Sequence, residues 1–324
     1  MSGLQPKDEI RIIAPSQSWA AKYAADYKRA QACLEAAGFV VSLSKNIQKQ
    51  AVLQAATAAE RAADVTAAYA DPRVKAIIAL RGGWLTNEIL PFIDWQVVAA
   101  NPKPLIGFSD ITVLLNAVIA KTGQMGYLGP TLGAFADPRF GQKMLGDLLA
   151  VLSGEPVQLV PSAYWGLPKQ KVRRKAAAWK TLQPGTARGR LVGGNAGTFF
   201  LGQGTEYLAP FDQDYILAIE DDDEAGEYTA REFSRRLESI LQLPGARQHL
   251  KGMLIGRFLP NSKVTDADLA AIIAAKQLGD IPVLIGMDFG HSLPNATLPL
   301  GGQATMQVGR VGANAVVIVQ AKAL

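Results

Sequence analysis

From residue 10 to about residue 150, short β-branched apolar runs alternate with longer stretches of helical periodicity, and this alternation narrows the fold more than any other feature. Ile10–Ala14 reads as a strand and Ala21–Ala37 as a helix closed near Gly38; Phe39–Leu43 is a second strand. Ala55–Ala70 reads as a helix, and Ala76–Leu80 and Leu105–Phe108 as strands, the last running into a helix after Ser109. Strand and helix in alternation predict an α/β unit with a mainly parallel sheet covered by helices. Around residues 156–188 the character changes: prolines, tryptophans and basic residues occur without periodicity, from Pro161 through Trp165 and Trp179 to Pro184. This stretch is expected to connect two domains and to carry an ordered loop. Beyond it come strands at Gly189–Val192, Tyr215–Ile219, Gly252–Ile255 and Val283–Met287, with helices over Thr229–Leu241 and Asp266–Leu278. Late strands at Ala304–Val308 and Ala315–Val319 make this end β-rich. The expected organisation is an N-terminal domain over 1–155, a connecting segment over 156–188, and a smaller α+β domain over 189–324.

Composition sets outer limits. The 324 residues suffice for two ordinary domains, and 49% apolar with 19% charged residues is globular rather than disordered. The N-terminal residues hold no apolar signal region, and no apolar run approaches the roughly 18 residues of a membrane span. A soluble cytoplasmic protein is expected. The single cysteine, Cys33, rules out an intramolecular disulfide framework and any Cys-rich metal site, and its place in the helical pattern reads as a buried small hydrophobe. The net charge of +5 is modest; its densest patch, Lys169, Lys171, Arg173, Arg174 and Lys175, lacks the interleaved aromatics of a nucleic-acid groove and reads as a solvated loop face. No nucleic-acid partner is expected.

Chemistry concentrates where strands end. Ser109 sits at a strand-to-helix turn, a position that suits an exposed nucleophile or a helix N-cap. Ala76–Leu80 runs into Arg81-Gly82-Gly83, Tyr215–Ile219 into the acidic run Glu220–Glu224, and Val283–Met287 leads through Asp288 to His291. In open α/β sheets, ligands gather beyond the carboxyl ends of strands. Only two histidines are present, and His249 falls near the surface, so His291 is the candidate base for an activated serine. Glu220, the first acidic residue after a buried strand, is the candidate carboxylate to orient it. The alternatives are a satisfied loop histidine and, for the acidic run, a solvated turn or a loose divalent-cation site. The glycine pair allows the Gly83 N–H to approach a substrate oxygen, and with the Asp110 N–H it would form a two-donor oxyanion hole; a tight structural turn is the other reading. No metal site is expected, because no second histidine accompanies His291. Gly193-Gly194-Asn195 lacks the context of either nucleotide fingerprint, so no nucleotide cofactor is expected.

Taken together, Arg81-Gly82-Gly83, Gly107-Phe108-Ser109-Asp110, Leu191-Val192-Gly193-Gly194-Asn195, Ile219-Glu220-Asp221 and Thr297–Gly301 after His291 resemble the LD-carboxypeptidases, or muramoyltetrapeptide carboxypeptidases, which share a superfamily with the microcin C immunity proteins. The resemblance covers nearly the whole chain in order. It implies a serine peptidase with Ser109, Glu220 and His291 as triad. It also implies a Rossmann-like N-terminal domain supplying the serine, and an active site at the domain interface of a homodimer. Two substrate classes follow from it. LD-carboxypeptidases release the terminal D-alanine from cytoplasmic murein tetrapeptides during peptidoglycan recycling; immunity-type members, which confer microcin resistance, cleave aminoacyl or peptidyl groups from a nucleotide mimic. The acidic run keeps the second glutamate of LD-carboxypeptidases, Glu224. The long connection, with Trp165 and Trp179, looks more like the immunity type, where an aromatic lies near the nucleobase; packing of both tryptophans onto the core is the other reading. Arg81 and Asn195 are further candidate substrate-binding residues, Arg81 for a free carboxylate, with a structural salt bridge as its other reading. A non-catalytic protein with two lobes closing on a small ligand is the alternative from another class.

Overall fold

The computed structural model describes residues 3–310 and 315–322. Two sheets organise it. The first runs, in spatial order, Leu298–Leu300, Gly126–Leu128, Leu105–Gly107, Val74–Ala79, Glu9–Ile13 and Val40–Leu43. All are parallel except Leu298–Leu300, which pairs antiparallel with Gly126–Leu128. The inner strands are apolar and buried at nearly every position because helices cover both faces, which is why they read as continuous hydrophobic runs. One covering helix, Ala58–Ala70, starts where its sequence dictates: Thr57 and Glu60 form a reciprocal capping box.

The second sheet has eight strands, ordered Val157–Leu159, Val316–Gln320, Gln303–Val308, Gly185–Asn195, Tyr215–Glu220, Leu250–Gly256, Val283–Met287 and Lys180–Gln183. The run of four from Gly185–Asn195 to Val283–Met287 is parallel, and the flanking strands are antiparallel. Thr229–Leu241 covers this sheet through Phe233, Leu237, Ile240 and Leu241, the spacing of one helical face.

Three features depart from the sequence expectation. The segment 156–188 supplies both edge strands of the second sheet, Val157–Leu159 and Lys180–Gln183, and between them a short hairpin, Tyr164–Trp165 with Arg174–Lys175. It is part of the second lobe rather than a bare connection. Leu298–Leu300 crosses back to complete the first sheet, so the lobes are joined by sheet hydrogen bonds as well as by the chain. Cys33 is partly exposed rather than buried, because the neighbouring Leu34 takes the inward position. A continuous apolar core runs from Ile12 and Ile78 of the first sheet through Leu115 to Leu191, Ala218 and Met287 of the second.

Candidate active site

The turn after Leu105–Gly107 places Ser109 at φ +60°, a left-handed conformation that a side chain enters at a cost of about 1–3 kcal/mol and that is kept where it aims a functional group. Its Oγ lies 3.0 Å from His291 Nε2, and His291 Nδ1 lies 2.7 Å from Glu220 Oε2. The three groups come from both lobes: Ser109 follows a strand of the first sheet, whereas Glu220 ends a strand of the second and His291 follows another. Glu220 is fully buried. It fits because of Gly290, at φ +101°: a Cβ there would stand 2.6 Å from Glu220 Oε2. The Phe108 ring meets the imidazole edge-on at 5.2 Å, fixing its tilt.

Electrostatics follow from this packing. Burial alone would lower the His291 pKa. The charge and hydrogen bond of Glu220 outweigh it, with Asp222 and Asp221 adding to them, and push the ring up to about 9. Asp221 is pushed up to about 7, chiefly by burial; Arg236, which donates from Nη1 to both carboxylate oxygens at 2.8 Å, opposes the rise.

The Arg81–Gly83 segment packs directly on the serine. A Cβ at Gly82 would stand 3.0 Å from Ser109 Cβ and 3.4 Å from the Asp110 nitrogen, so any side chain there would press on the serine turn. The Asp110 side chain turns away from the serine, and its Oδ2 accepts from Leu85 N at 3.0 Å, Thr86 N at 2.9 Å and Thr86 Oγ1 at 2.6 Å. The serine turn and the glycine segment are thereby tied together. A cavity of about 650 Å³ opens beside His291, with Tyr23, Tyr27, Arg81, Phe108 and Lys169 in its wall.

Other sequence candidates are distributed as follows. Arg81 lines the cavity, stacked over the rings of Trp19 at 3.9 Å and Tyr23 at 4.7 Å. Asn195 does not present its side chain to the cavity: it is 2% exposed, its Oδ1 caps the helix Ala196–Phe200 by accepting from Thr198 N, and its Nδ2 points to Asp222 Oδ2. Trp179 is 3% exposed and donates to Asp288 Oδ2 at 3.2 Å, so it packs the segment onto the core. The Arg174 and Arg257 guanidinium groups lie over the Trp165 ring at 5.0 and 5.3 Å, and neither tryptophan lines the cavity. Sequence reasoning missed Trp19, Tyr23 and Tyr27. The four-residue spacing of the tyrosines, which puts them on one helix face, was the available signal. Among the described residues, no three His, Cys, Asp or Glu side chains gather where a metal ion would sit.

A serine hydroxyl, an imidazole and a buried carboxylate in one hydrogen-bonded line are the apparatus of a serine hydrolase. Comparison with known proteins narrows the class. Residues 10–129 match the LD-carboxypeptidase N-terminal domain and residues 188–306 the LD-carboxypeptidase C-terminal domain. The chain therefore belongs to the LD-carboxypeptidase family and is a serine carboxypeptidase. It is 34% identical to the putative carboxypeptidase YocD of Bacillus subtilis, over 94% of this chain and 95% of that one. It is 30% identical to the murein tetrapeptide carboxypeptidase of Pseudomonas aeruginosa, over 95% and 96%. The crystal structure of an MccF-like protein from Bacillus anthracis superposes with a TM-score of 0.94 at 31% identity, covering 98% of each chain. Among the described residues no helix is long and apolar enough to cross a membrane.

Proposed function

We propose that the chain releases the terminal D-alanine from murein tetrapeptides, using Ser109 as nucleophile, His291 as general base and Glu220 as the group that orients it. The observation that carries this reading is the 3.0 Å approach of Ser109 Oγ to His291 Nε2, backed by the 2.7 Å contact with Glu220. Neutral His291 takes the serine proton as Oγ attacks the amide carbonyl, and the imidazolium then protonates the leaving amine. Water, deprotonated by the same ring, releases the acyl group. The Gly83 and Asp110 N–H groups receive the oxyanion, each worth about 3–4 kcal/mol to the transition state. Arg81, whose guanidinium faces the cavity, receives the free carboxylate that any carboxypeptidase must recognise. The setting is peptidoglycan recycling in the cytoplasm, with the enzyme a homodimer.

The likeness to an MccF-like structure, which extends over the long segment 156–188, favours a second reading: hydrolysis of an aminoacyl or peptidyl group from a nucleotide conjugate. One experiment separates the two. Purified enzyme is offered a murein tetrapeptide and an aminoacyl-sulfamoyl adenosine, and free D-alanine and free sulfamoyl adenosine are quantified. The first reading expects D-alanine release, lowered at least about 10⁴-fold in Ser109→Ala with the circular dichroism spectrum unchanged. Turnover of the nucleotide conjugate alone supports the second. Wild-type rates in Ser109→Ala would overturn both.

A further inference from the structure

The cavity beside His291 holds more positive charge than it neutralises. Its two carboxylates are taken: Asp26 pairs with Arg29, and Asp137 with Arg139 at 2.6 Å. Arg81 and Lys169 have no carboxylate partner among the described residues, yet they share one aromatic ring. The Arg81 guanidinium stands 4.7 Å from the centre of the Tyr23 ring; Lys169 Nζ stands 4.1 Å from it and donates to Tyr23 Oη at 3.0 Å. That hydrogen bond holds the phenol down at about 8. The loop bearing Lys169 is also fixed. Gly166 and Leu293, two residues beyond His291, exchange backbone hydrogen bonds of 2.8 and 2.9 Å. Arg139 donates to the Leu167 carbonyl at 2.8 Å and the Val172 carbonyl at 2.6 Å, holding the tip from both sides.

Two cations gathered on one ring in the cavity wall, neither paired with a carboxylate among the described residues, can both donate charge-assisted hydrogen bonds to an anion. We propose that Lys169, carried on a loop of the second lobe, completes with Arg81 a receptor for the terminal carboxylate of the substrate's leaving amino acid. Tyr23 is the platform that spaces the two charges. The inference rests on the carboxypeptidase reading above and extends it: specificity for a free C-terminus is divided between the first lobe and the loop of the second. The basic patch that reads in sequence as a solvated face thus contributes one member to the site.

Steady-state kinetics on a murein tetrapeptide and on its C-terminal amide test this. In Lys169→Met, KM for the free acid should rise about tenfold with kcat held within twofold, and values for the amide should stay as they were. Equal effects on acid and amide, or none on either, would overturn the receptor. A second measurement does not depend on turnover. Calorimetric titration of Ser109→Ala with N-acetyl-D-alanine and N-acetyl-D-alaninamide should show a preference for the acid that Lys169→Met abolishes. If Ser109→Ala shows that preference while the protein with Ser109 intact releases no D-alanine from the tetrapeptide, the receptor stands and the tetrapeptide assignment falls. Absence of any preference removes the receptor whatever the activity. Inorganic phosphate binding tighter than N-acetyl-D-alanine, and dependent on Lys169, would show a phosphate site and overturn the carboxylate assignment.

Discussion

The imidazole of His291 carries the plainest pH consequence. In the proposed mechanism His291 must be neutral to accept the serine proton, and Glu220 holds its ring up to about 9. The kcat/KM of the enzyme should therefore climb with pH and level off only as His291 loses its proton in that region. Glu220→Gln removes the anion, so the limb should move toward the ordinary 6.5 while the plateau falls by about 10⁴-fold; a pH–rate profile of both proteins checks it. A limb that stays in place would mean that other charges set the titration. The same shift bears on stability. A ring whose folded pKa is raised stabilises the fold fully below its unfolded value near 6.5, and this contribution is lost as pH rises through about 9. Ser109, Glu220 and His291 were legible as candidates because each follows a recognisable strand within a few residues. Tyr23 and Lys169 were not, since their meeting depends on how a loop near residue 169 lies over a helix near residue 23.

At the scale of elements, the site depends on a clasp. Asp110 gathers three donors from Leu85 and Thr86 while buried at 2% exposure, and so holds the glycine segment against the serine turn. Asp110→Ala would strand those donors out of water; a loss of at least about 3 kcal/mol in urea unfolding is expected, with a matching fall in kcat. Asp110→Asn keeps an acceptor and should recover part of both. Element boundaries were readable where patterns were long. Thr229–Leu241 and Val283–Met287 begin and end where their periodicity says. The strands Gly126–Leu128, Val157–Leu159 and Leu298–Leu300 went unseen, because three residues give no period. Pro299, in the middle of the last, argues locally against a strand; it is tolerated at the edge of the sheet, where its missing N–H breaks no inner ladder.

At the scale of the molecule, the lobes are stitched as well as packed. Asn116 Nδ2 donates to the Gly193 carbonyl at 3.0 Å, the Asn195 N–H donates to Thr112 Oγ1 at 3.0 Å, and one apolar core spans both sheets. A single cooperative heat transition is expected, with near-ultraviolet circular dichroism and scanning calorimetry giving coincident midpoints. Two resolved transitions would show the lobes to be energetically separate. A parallel sheet followed by a β-rich part was legible from strand–helix alternation giving way to late strands, whereas the crossing of Leu298–Leu300 was not, since nothing local marks which sheet a short strand will join.

That crossing has a consequence for traffic. Between Met287 and Leu298 the chain leaves one sheet and enters the other, with His291 partway along this bridge. Prising the halves apart would drag the imidazole from its partners and rupture a β-ladder on every cycle. Access that leaves both contacts intact is through the cavity beside His291, in whose wall residues 168–171 stand.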